Sequence, residues 1–294
     1  MSIGDDERGS FDRSSSSLLQ SIVRERFFAP NTKQRIRPTM SARPLDHPRH
    51  LDPTAAWAVF LDVDGTLIPI AETPDTVLVG DRLPDILRRL APALDQALAL
   101  ISGRAIADLD GLFTPLVLPT AGQHGLERRD VRGRILRLGD QAELDFLRGP
   151  LQRFAASRPG IILEDKGSSL ALHYRRAPEA AAGARSLIDE LLHEAGDSVR
   201  LLSGKMVFEM KLPLADKGAA IAAFMEEPPF AGRRPIFIGD DVTDEDGFAV
   251  VNALGGLSIR VGEGRATAAE HSIADVAAVL DWLAALADIQ PGAS

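Results

Sequence analysis

The stretch Phe60-Leu61-Asp62-Val63-Asp64-Gly65-Thr66-Leu67 decides the fold of this chain, because it joins an apolar segment to two carboxylates. The apolar residues 56–61 predict a strand that is buried on both faces of a parallel sheet. Asp62 and Asp64 follow at a spacing of two, which points both side chains the same way, and Gly65 lets the backbone turn away. In open α/β sheets, ligands bind beyond the carboxyl ends of the strands. The motif therefore predicts two carboxylates that hold a hard divalent cation beside a nucleophilic oxygen.

An Asp-x-Asp-Gly sequence also occurs in calcium loops and in ordinary turns. A calcium loop needs further oxygen ligands at alternate positions and a Glu near its end, whereas residues 67–70 read Leu-Ile-Pro-Ile. The alternative of a turn without a cation stays open for this motif taken alone.

Composition narrows the class of protein. The 294 residues are 45% hydrophobic and 26% charged, with no cysteine and a net charge of −9. Residues 1–50 carry +3 and the rest −12, so an acidic body argues against a nucleic-acid surface. No apolar run approaches the roughly 20 residues that span a bilayer. We expect a cytoplasmic, monomeric or weakly oligomeric protein that binds a small molecule rather than nucleic acid or a membrane.

Residues 1–53 differ from the rest of the chain in composition and in apolar periodicity. They contain a run of serines at 14–17, scattered prolines and weak apolar periodicity. This composition predicts a disordered N-terminal tail. No contiguous apolar segment of the signal-peptide kind stands within it, so a secretory leader is not expected.

Apolar strands alternate with amphipathic helices along most of the remaining chain. Strands are predicted at residues 97–101, 116–118, 235–238 and 257–261, and helices at 82–94, 105–112, 216–224 and 274–286, with another ending near 254. This alternation predicts an α/β fold with a Rossmann-like doubly wound parallel sheet. The predicted core comprises residues 54–126 and 207–288.

The middle section has shorter strands and no parallel pattern. A hairpin is predicted over residues 126–138, helices over 141–157 and 178–195, and strands at 161–164, 169–174, 199–202 and 206–210. We therefore predict an inserted α+β cap domain of residues 127–206.

Polar side chains follow several predicted strands or open the next helix. Ser102 follows the second strand, Lys217 opens a helix, and Asp240, Asp241 and Asp244 follow a late strand. A hydroxyl at a helix start and a lysine suit an anion, and the carboxylates suit Mg²⁺. Each signal alone is typical of a turn, but their order at one edge of the sheet strongly favours a phosphate site.

These motifs resemble those of the haloacid-dehalogenase-like phosphatases, and more narrowly the trehalose-6-phosphate phosphatases. The resemblance covers roughly residues 55–285. The narrower resemblance is carried by Leu100-Ile101-Ser102-Gly103-Arg104, Gly122-Gln123-His124-Gly125-Leu126-Glu127, Ala171-Leu172-His173-Tyr174-Arg175, Gly204-Lys205-Met206-Val207-Phe208-Glu209 and Gly239-Asp240-Asp241-Val242-Thr243-Asp244-Glu245. Gln123 departs from the expected pattern, without a consequence for the chemistry.

The resemblance implies a role for each core residue. Asp62 would be the nucleophile that forms an aspartyl-phosphate, and Asp64 the general acid and then base. Mg²⁺ would be held by the Asp62 carboxylate, the Asp64 backbone carbonyl and the Asp240 side chain. Further metal-site candidates are Asp244, expected to orient the other groups, and Asp241, ranked below Asp240. Ser102 and Lys217 would grip the transferring phosphoryl group.

The resemblance also implies that the cap reads a phosphorylated disaccharide through polar side chains. The substrate-binding candidates are Arg104, His124, Lys166, His173, Arg175, Lys205 and Glu209. Arg175 as a solvated rim residue and His173 as a satisfied strand histidine stay open. Two other functions also stay open: a phosphatase for another sugar phosphate, such as sucrose phosphate or mannosylglycerate phosphate, and a non-catalytic sugar-phosphate sensor.

Overall fold

Two sheets organise the computed structural model, which describes residues 42–70, 79–138, 144–167, 169–204, 206–212, 216–263 and 266–289. The strands are β1 (Arg43–Pro44), β2 (Trp57–Leu61), β3 (Leu98–Ile101), β4 (Thr120–Gly122), β5 (Glu127–Arg129), β6 (Ile135–Arg137), β7 (Ile162–Asp165), β8 (Ser169–His173), β9 (Arg200–Gly204), β10 (Val207–Lys211), β11 (Arg234–Gly239), β12 (Leu257–Val261) and β13 (His271–Ile273). The α-helices are α1 (Arg82–Ala93), α2 (Ile106–Phe113), α3 (Asp145–Ala156), α4 (Ala181–Ala195), α5 (Lys217–Met225), α6 (Glu245–Ala253) and α7 (Val276–Ile289). Among the described residues, every helix is too short or too polar to cross a membrane.

The larger sheet has nine strands in the order β1-β13-β12-β11-β2-β3-β4-β5-β6. Pairing is parallel from β1 through β4 and antiparallel at β4-β5 and β5-β6. The central strand β2 is buried along its whole length. Val59 and Leu61 join one apolar cluster with α1 and α7, whereas Phe60 joins another with α5 and α6. Helices on both faces of a parallel sheet confirm the predicted doubly wound α/β core.

The smaller sheet has four antiparallel strands in the order β7-β8-β10-β9. Leu170 and Leu172 of β8 and Met210 of β10 pack on α3 and α4, through residues such as Leu151 and Ile188. Side chains alternate between the two faces of a strand. The opposite face of this sheet therefore carries Ser169, Ala171 and His173, together with alternate residues of β7 and β10.

Backbone pairing divides the chain at residues that differ from the predicted limits. The 126–138 hairpin, predicted as part of the cap, forms β5 and β6 and extends the larger sheet from β4. Strand β10, predicted to begin the second part of the core, pairs with β8 and β9 of the smaller sheet. The strand predicted at 116–118 lies instead at Thr120–Gly122. The change from long apolar strands to short alternating strands showed where the parallel pattern breaks off. Which sheet a strand joins is decided by its hydrogen-bond partners.

The last residues of the predicted tail are folded, which corrects that prediction for residues 42–53. Strand β1 pairs in parallel with β13, and residues 48–50 form a short 3₁₀ helix. Leu45 and Leu51 pack against the core, and the Trp282 indole donates to the Asp46 carbonyl over 3.0 Å. These few apolar contacts were hidden among prolines and charged residues. Residues 1–41 lie outside the described residues.

Candidate active site

Asp62 stands where β2 leaves the sheet. Its backbone N–H still donates to the Ile238 carbonyl of β11, over 2.9 Å, and its side chain is buried. The chain then turns at Gly65, which has φ +84°. A Cβ at Gly65 would lie 2.1 Å from Asp240 Oδ2, so a side chain there would collide with that carboxylate. The glycine of the motif thus lets the loop after β2 approach the loop after β11.

Lys217, the first residue of α5, links two buried carboxylates. Its Nζ donates to Asp62 Oδ1 over 2.7 Å and to Asp244 Oδ1 over 2.6 Å. Burial disfavours the charge, but Asp244 and Asp62 together raise the pKa of Lys217 above its usual value. The lysine is therefore a fixed positive charge at the carboxyl edge of the sheet, as predicted from its position at a helix start.

Asp244 supports the loop after β11 from inside. Its Oδ2 accepts from the N–H of Asp240 over 2.9 Å and from the N–H of Asp241 over 2.8 Å. Both of its oxygens thus have donors, since Oδ1 accepts from Lys217. The Asp241 side chain is exposed and accepts from the Asp244 backbone in a capping box. This geometry suits Asp244 to orienting its neighbours.

Three carboxylates gather at this edge. Asp62, Asp240 and Asp244 each bring one oxygen within 4.8 Å of the others, and Asp241 is not in this group. Burial and then Asp244 raise the pKa of Asp62 well above its usual range, and the same causes raise the pKa of Asp240 to about 6. Negative charge is therefore concentrated beyond what Lys217 balances. An all-oxygen donor set with excess negative charge fits a hard divalent cation such as Mg²⁺.

Ser102 and Arg104 follow β3, next to the Asp62 loop. Ser102 is buried, and its Oγ accepts from the Arg104 N–H over 3.1 Å. The Arg104 side chain reaches back to Asp64: Nε donates to Oδ2 and Nη2 to Oδ1, each over 2.7 Å. The structure therefore brings a predicted substrate-binding residue onto the predicted general acid.

His124 lies in a short 3₁₀ turn after β4. Gln123 and His124 have φ of 49° and 57°, a conformation that costs energy in residues with side chains. His124 Nε2 stands 3.9 Å from Glu209 Oε2 of β10. Burial, followed by the charges of Lys211, Lys217 and Lys166, lowers the pKa of His124 well below 6.5. The ring is therefore neutral near pH 7.

The polar face of the smaller sheet carries a charged cluster. Glu164 and Glu209 both pair with Ala171 and so flank it on the two neighbouring strands. His173 Nε2 stands 2.9 Å from Glu164 Oε2, and the hydrogen bond with His173 lowers the pKa of Glu164. Lys166 Nζ lies 3.8 Å from Glu209 Oε1 and 3.9 Å from Glu164 Oε2. Such a face offers hydrogen-bonding groups of both signs.

Two predicted substrate-binding residues remain. Arg175 is exposed in the turn after β8. Lys205 lies outside the described residues.

Sequence reasoning missed four polar residues at the site. Thr66 Oγ1 donates to Asp62 Oδ2 over 3.2 Å, and Ser169 Oγ donates to Glu209 Oε1 over 2.7 Å. Glu164 was detectable, because it ends the strand predicted at 161–164, two residues before Lys166. The Gln123 side-chain amide donates to the Lys166 carbonyl over 2.8 Å, which ties the two sheets together. No sequence signal connects these two residues, which are 43 positions apart.

The fold of this chain is the one seen in haloacid-dehalogenase-like hydrolases. A solved hydrolase of this kind from B. subtilis superposes with a TM-score of 0.54 at 14% identity, covering 78% of this chain and 98% of that one.

Sequence comparison identifies one family among the proteins that share this fold. The model of the trehalose-phosphatase family matches residues 60–278, and the chain belongs to that family. It is 47% identical to a probable trehalose-phosphate phosphatase of Sinorhizobium fredii strain NGR234, over 79% of this chain and 88% of the relative. It is 46% identical to the trehalose-6-phosphate phosphatase of Escherichia coli K12, over 82% of this chain and 89% of the relative.

Proposed function

We propose that this protein hydrolyses trehalose 6-phosphate to trehalose and phosphate, with Mg²⁺, through an aspartyl-phosphate on Asp62. One observation carries the proposal: Asp62 is buried at a strand end, held by Lys217, and beside Asp240 and Asp244. A buried carboxylate with this support suits nucleophilic catalysis on a phosphate. The substrate follows from family membership and from the two relatives' names.

In the first step, a carboxylate oxygen of Asp62 attacks phosphorus, and the bond from phosphorus to the sugar oxygen breaks. Asp64 gives its proton to that departing oxygen. In the second step, Asp64 takes a proton from a water molecule that attacks phosphorus, which releases phosphate and restores Asp62. Lys217 and Thr66 hold the nucleophile in one orientation throughout, since each donates to a different oxygen of Asp62.

The groups that would hold Mg²⁺ are the carboxylates of Asp62 and Asp240 and the backbone carbonyl of Asp64. Asp244 supports them through Lys217 and the backbone of the 240–241 loop. When bound, Mg²⁺ supplies positive charge that stabilises the phosphoryl oxygens. At the same edge of the larger sheet, Ser102 adds a hydroxyl group and Lys217 an ammonium group.

The smaller sheet and its two helices would act as the cap. Glu164, Lys166, His173 and Glu209 are partly buried on the face that bears donors and acceptors. A disaccharide presents many hydroxyl groups, and a site that hydrogen-bonds them rejects analogues that lack them. Two contacts support this assignment: Glu209 stands 3.9 Å from His124, and the Gln123 amide donates to the Lys166 carbonyl over 2.8 Å.

The deciding experiment measures phosphate release from trehalose 6-phosphate, sucrose 6-phosphate and glucose 6-phosphate, with Mg²⁺ and with a chelator. Asp62→Asn is the control, because it keeps the size of the side chain and removes the nucleophile. We expect fast, Mg²⁺-dependent release from trehalose 6-phosphate, abolished in Asp62→Asn. Preference for another sugar phosphate would retain the chemistry and refute the substrate, whereas no release from any would refute the enzyme.

A cytoplasmic location and a monomeric or weakly oligomeric state stay predictions. Light scattering coupled to size-exclusion chromatography measures the second of these directly.

A further inference from the structure

We infer that Arg104 is a positioning residue for Asp64, and that it acts on the acid and base of the reaction rather than on the sugar. This inference rests on the proposed function. Two parallel N–H···O bonds of 2.7 Å join the Arg104 guanidinium to both oxygens of Asp64. A fork of this kind fixes the plane of a carboxylate, because neither oxygen can rotate without breaking a charge-assisted hydrogen bond.

The backbone of Arg104 is held firmly enough to serve as an anchor. Its N–H donates to Ser102 Oγ over 3.1 Å, and its carbonyl accepts from the Gln123 N–H over 2.9 Å. A Cβ at Gly122 would lie 2.9 Å from that same carbonyl, so the two loops pack against each other without spare room. The Arg104 side chain is 14% exposed, compared with 37% for the Asp64 side chain. The more buried partner therefore holds the more exposed one.

The backbone of the Asp64 loop is fixed by its own hydrogen bonds, such as that from the Gly65 N–H to the Ile68 carbonyl over 2.8 Å, but these bonds do not hold the Asp64 carboxylate. Asp64 follows the last residues of β2, and its pairing there is an isolated bridge to Ile68. By contrast, Asp62 is buried and receives side-chain donors from Lys217 and Thr66. A proton transfer to the departing oxygen requires the acid within hydrogen-bond reach of it. Without Arg104, the Asp64 carboxylate would sample orientations that miss this oxygen.

The fork is compatible with proton transfer. Each carboxylate oxygen has two acceptor positions, and the guanidinium occupies one on each oxygen. The other position on either oxygen can carry the proton that Asp64 delivers and later takes back. Arg104 can therefore keep both hydrogen bonds while Asp64 gives up and takes back its proton, as a positioning residue must.

Steady-state kinetics separate positioning from sugar binding. In Arg104→Met we expect kcat for trehalose 6-phosphate to fall by about 10²-fold, with KM changed by less than about twofold. Arg104→Lys keeps a charge without the fork and should recover part of the loss. With p-nitrophenyl phosphate, whose leaving group departs without a proton, kcat/KM should fall by less than about threefold. The control is Arg233→Lys, which alters a comparably buried arginine paired with Asp95, away from the site.

Two kinetic outcomes would overturn the inference. A rise in KM for trehalose 6-phosphate with kcat unchanged would show that Arg104 binds the sugar. An equal loss with both substrates would show a general defect of the site. If the wild type prefers another sugar phosphate, the proposed substrate fails, but the comparison with p-nitrophenyl phosphate still tests Arg104.

The pair itself is measured without turnover by NMR of arginine side chains. The Nε–H resonance of Arg104, assigned by its loss in Arg104→Lys, should shift in Asp64→Asn. The Nε–H resonance of Arg233 should not shift. An Arg104 Nε–H resonance that does not shift in Asp64→Asn would show that the two side chains are not paired. This holds even if the enzyme proved inactive on every phosphate.

Discussion

The catalytic edge of the larger sheet and the polar face of the smaller sheet differ in how their charges are held. Lys217, Asp62 and Asp244 are at most 5% exposed, and Lys217 bonds to the two carboxylates over 2.7 and 2.6 Å. On the smaller sheet, Lys166 is 20% and Glu164 40% exposed, with charge separations of 3.8–3.9 Å. The first region is arranged before any ligand arrives, as charge stabilisation of a transition state requires. The second region is more exposed, and a ligand can replace the long Lys166 ion pairs with its own hydroxyl groups.

Removing the equivalent charge from each region gives the largest expected contrast. Lys217→Met should lower kcat by about 10³-fold, because it removes a donor to the nucleophile and to the phosphoryl group. It also leaves Asp62 and Asp244 buried without their cation, at a cost of about 3 kcal/mol of folding stability. Lys166→Met should leave stability within about 0.5 kcal/mol, since it is more exposed. Steady-state kinetics and urea unfolding check both, and equal kcat losses in the two variants would erase the contrast.

Glu209→Gln tests the polar face itself. It keeps the shape of a side chain that accepts from Ser169 and faces Lys166, but removes the charge. We expect KM for trehalose 6-phosphate to rise by about 10-fold, with kcat nearly unchanged, because the lost interaction is with the bound sugar. Ser169→Ala is the matched control for the internal hydrogen bond. A fall in kcat at constant KM would place Glu209 with the catalytic edge instead.

The neutral His124 predicts how stability depends on pH. Its pKa in the folded protein lies well below the 6.5 of an unfolded chain, so the unfolded state binds the proton first as pH falls. The contribution of His124 to stability is therefore present above pH 6.5 and is lost as pH decreases towards its folded pKa. His124→Asn, which tolerates the left-handed backbone, should show a weaker loss between pH 7 and pH 5 in urea unfolding. Parallel pH curves for the two proteins would show that the ring is not buried as described.

The smallest expected effect is at the link between the sheets. Gln123→Ala removes the hydrogen bond to the Lys166 carbonyl and should raise KM by roughly threefold, about the energy of one neutral hydrogen bond. Gln123→Met, which retains the length but not the donor, should match it. Unchanged kinetics in both would show that the smaller sheet holds its position without this link.

The catalytic edge was predictable because parallel strands end together. Asp62, Ser102 and Asp240 each follow a buried strand, and Lys217 opens the helix that leads into β11, so sequence position alone brings them to one edge. Strand periodicity is also consistent with the positions of Glu209 and His173, which lie on the same face of the smaller sheet. These predictions depend on two local properties of the backbone, the common end of parallel strands and the alternation of side chains along a strand, and the structure has both.

What could not be predicted depends on contacts between distant residues. The pairing of Arg104 with Asp64 joins positions 40 apart, and either partner has several plausible ligands in sequence. The hairpin of β5 and β6 has the same local pattern in either sheet, so its attachment to β4 is a tertiary choice. The capping role of Asp241 depends on which of two adjacent acids turns inward.

The two-residue strand β1 sets a limit on how far the protein can be shortened for expression. It covers the open side of β13, and with Pro44 in it, the outermost strand offers few donors to another chain. A version that starts at residue 54, the predicted end of the tail, would uncover the backbone of β13 and the apolar surface beneath Leu45 and Leu51. Bare strands of this kind recruit strands from other molecules. Protein truncated to begin at residue 54 should therefore aggregate, whereas protein truncated to begin at Ala42 keeps β13 covered by β1.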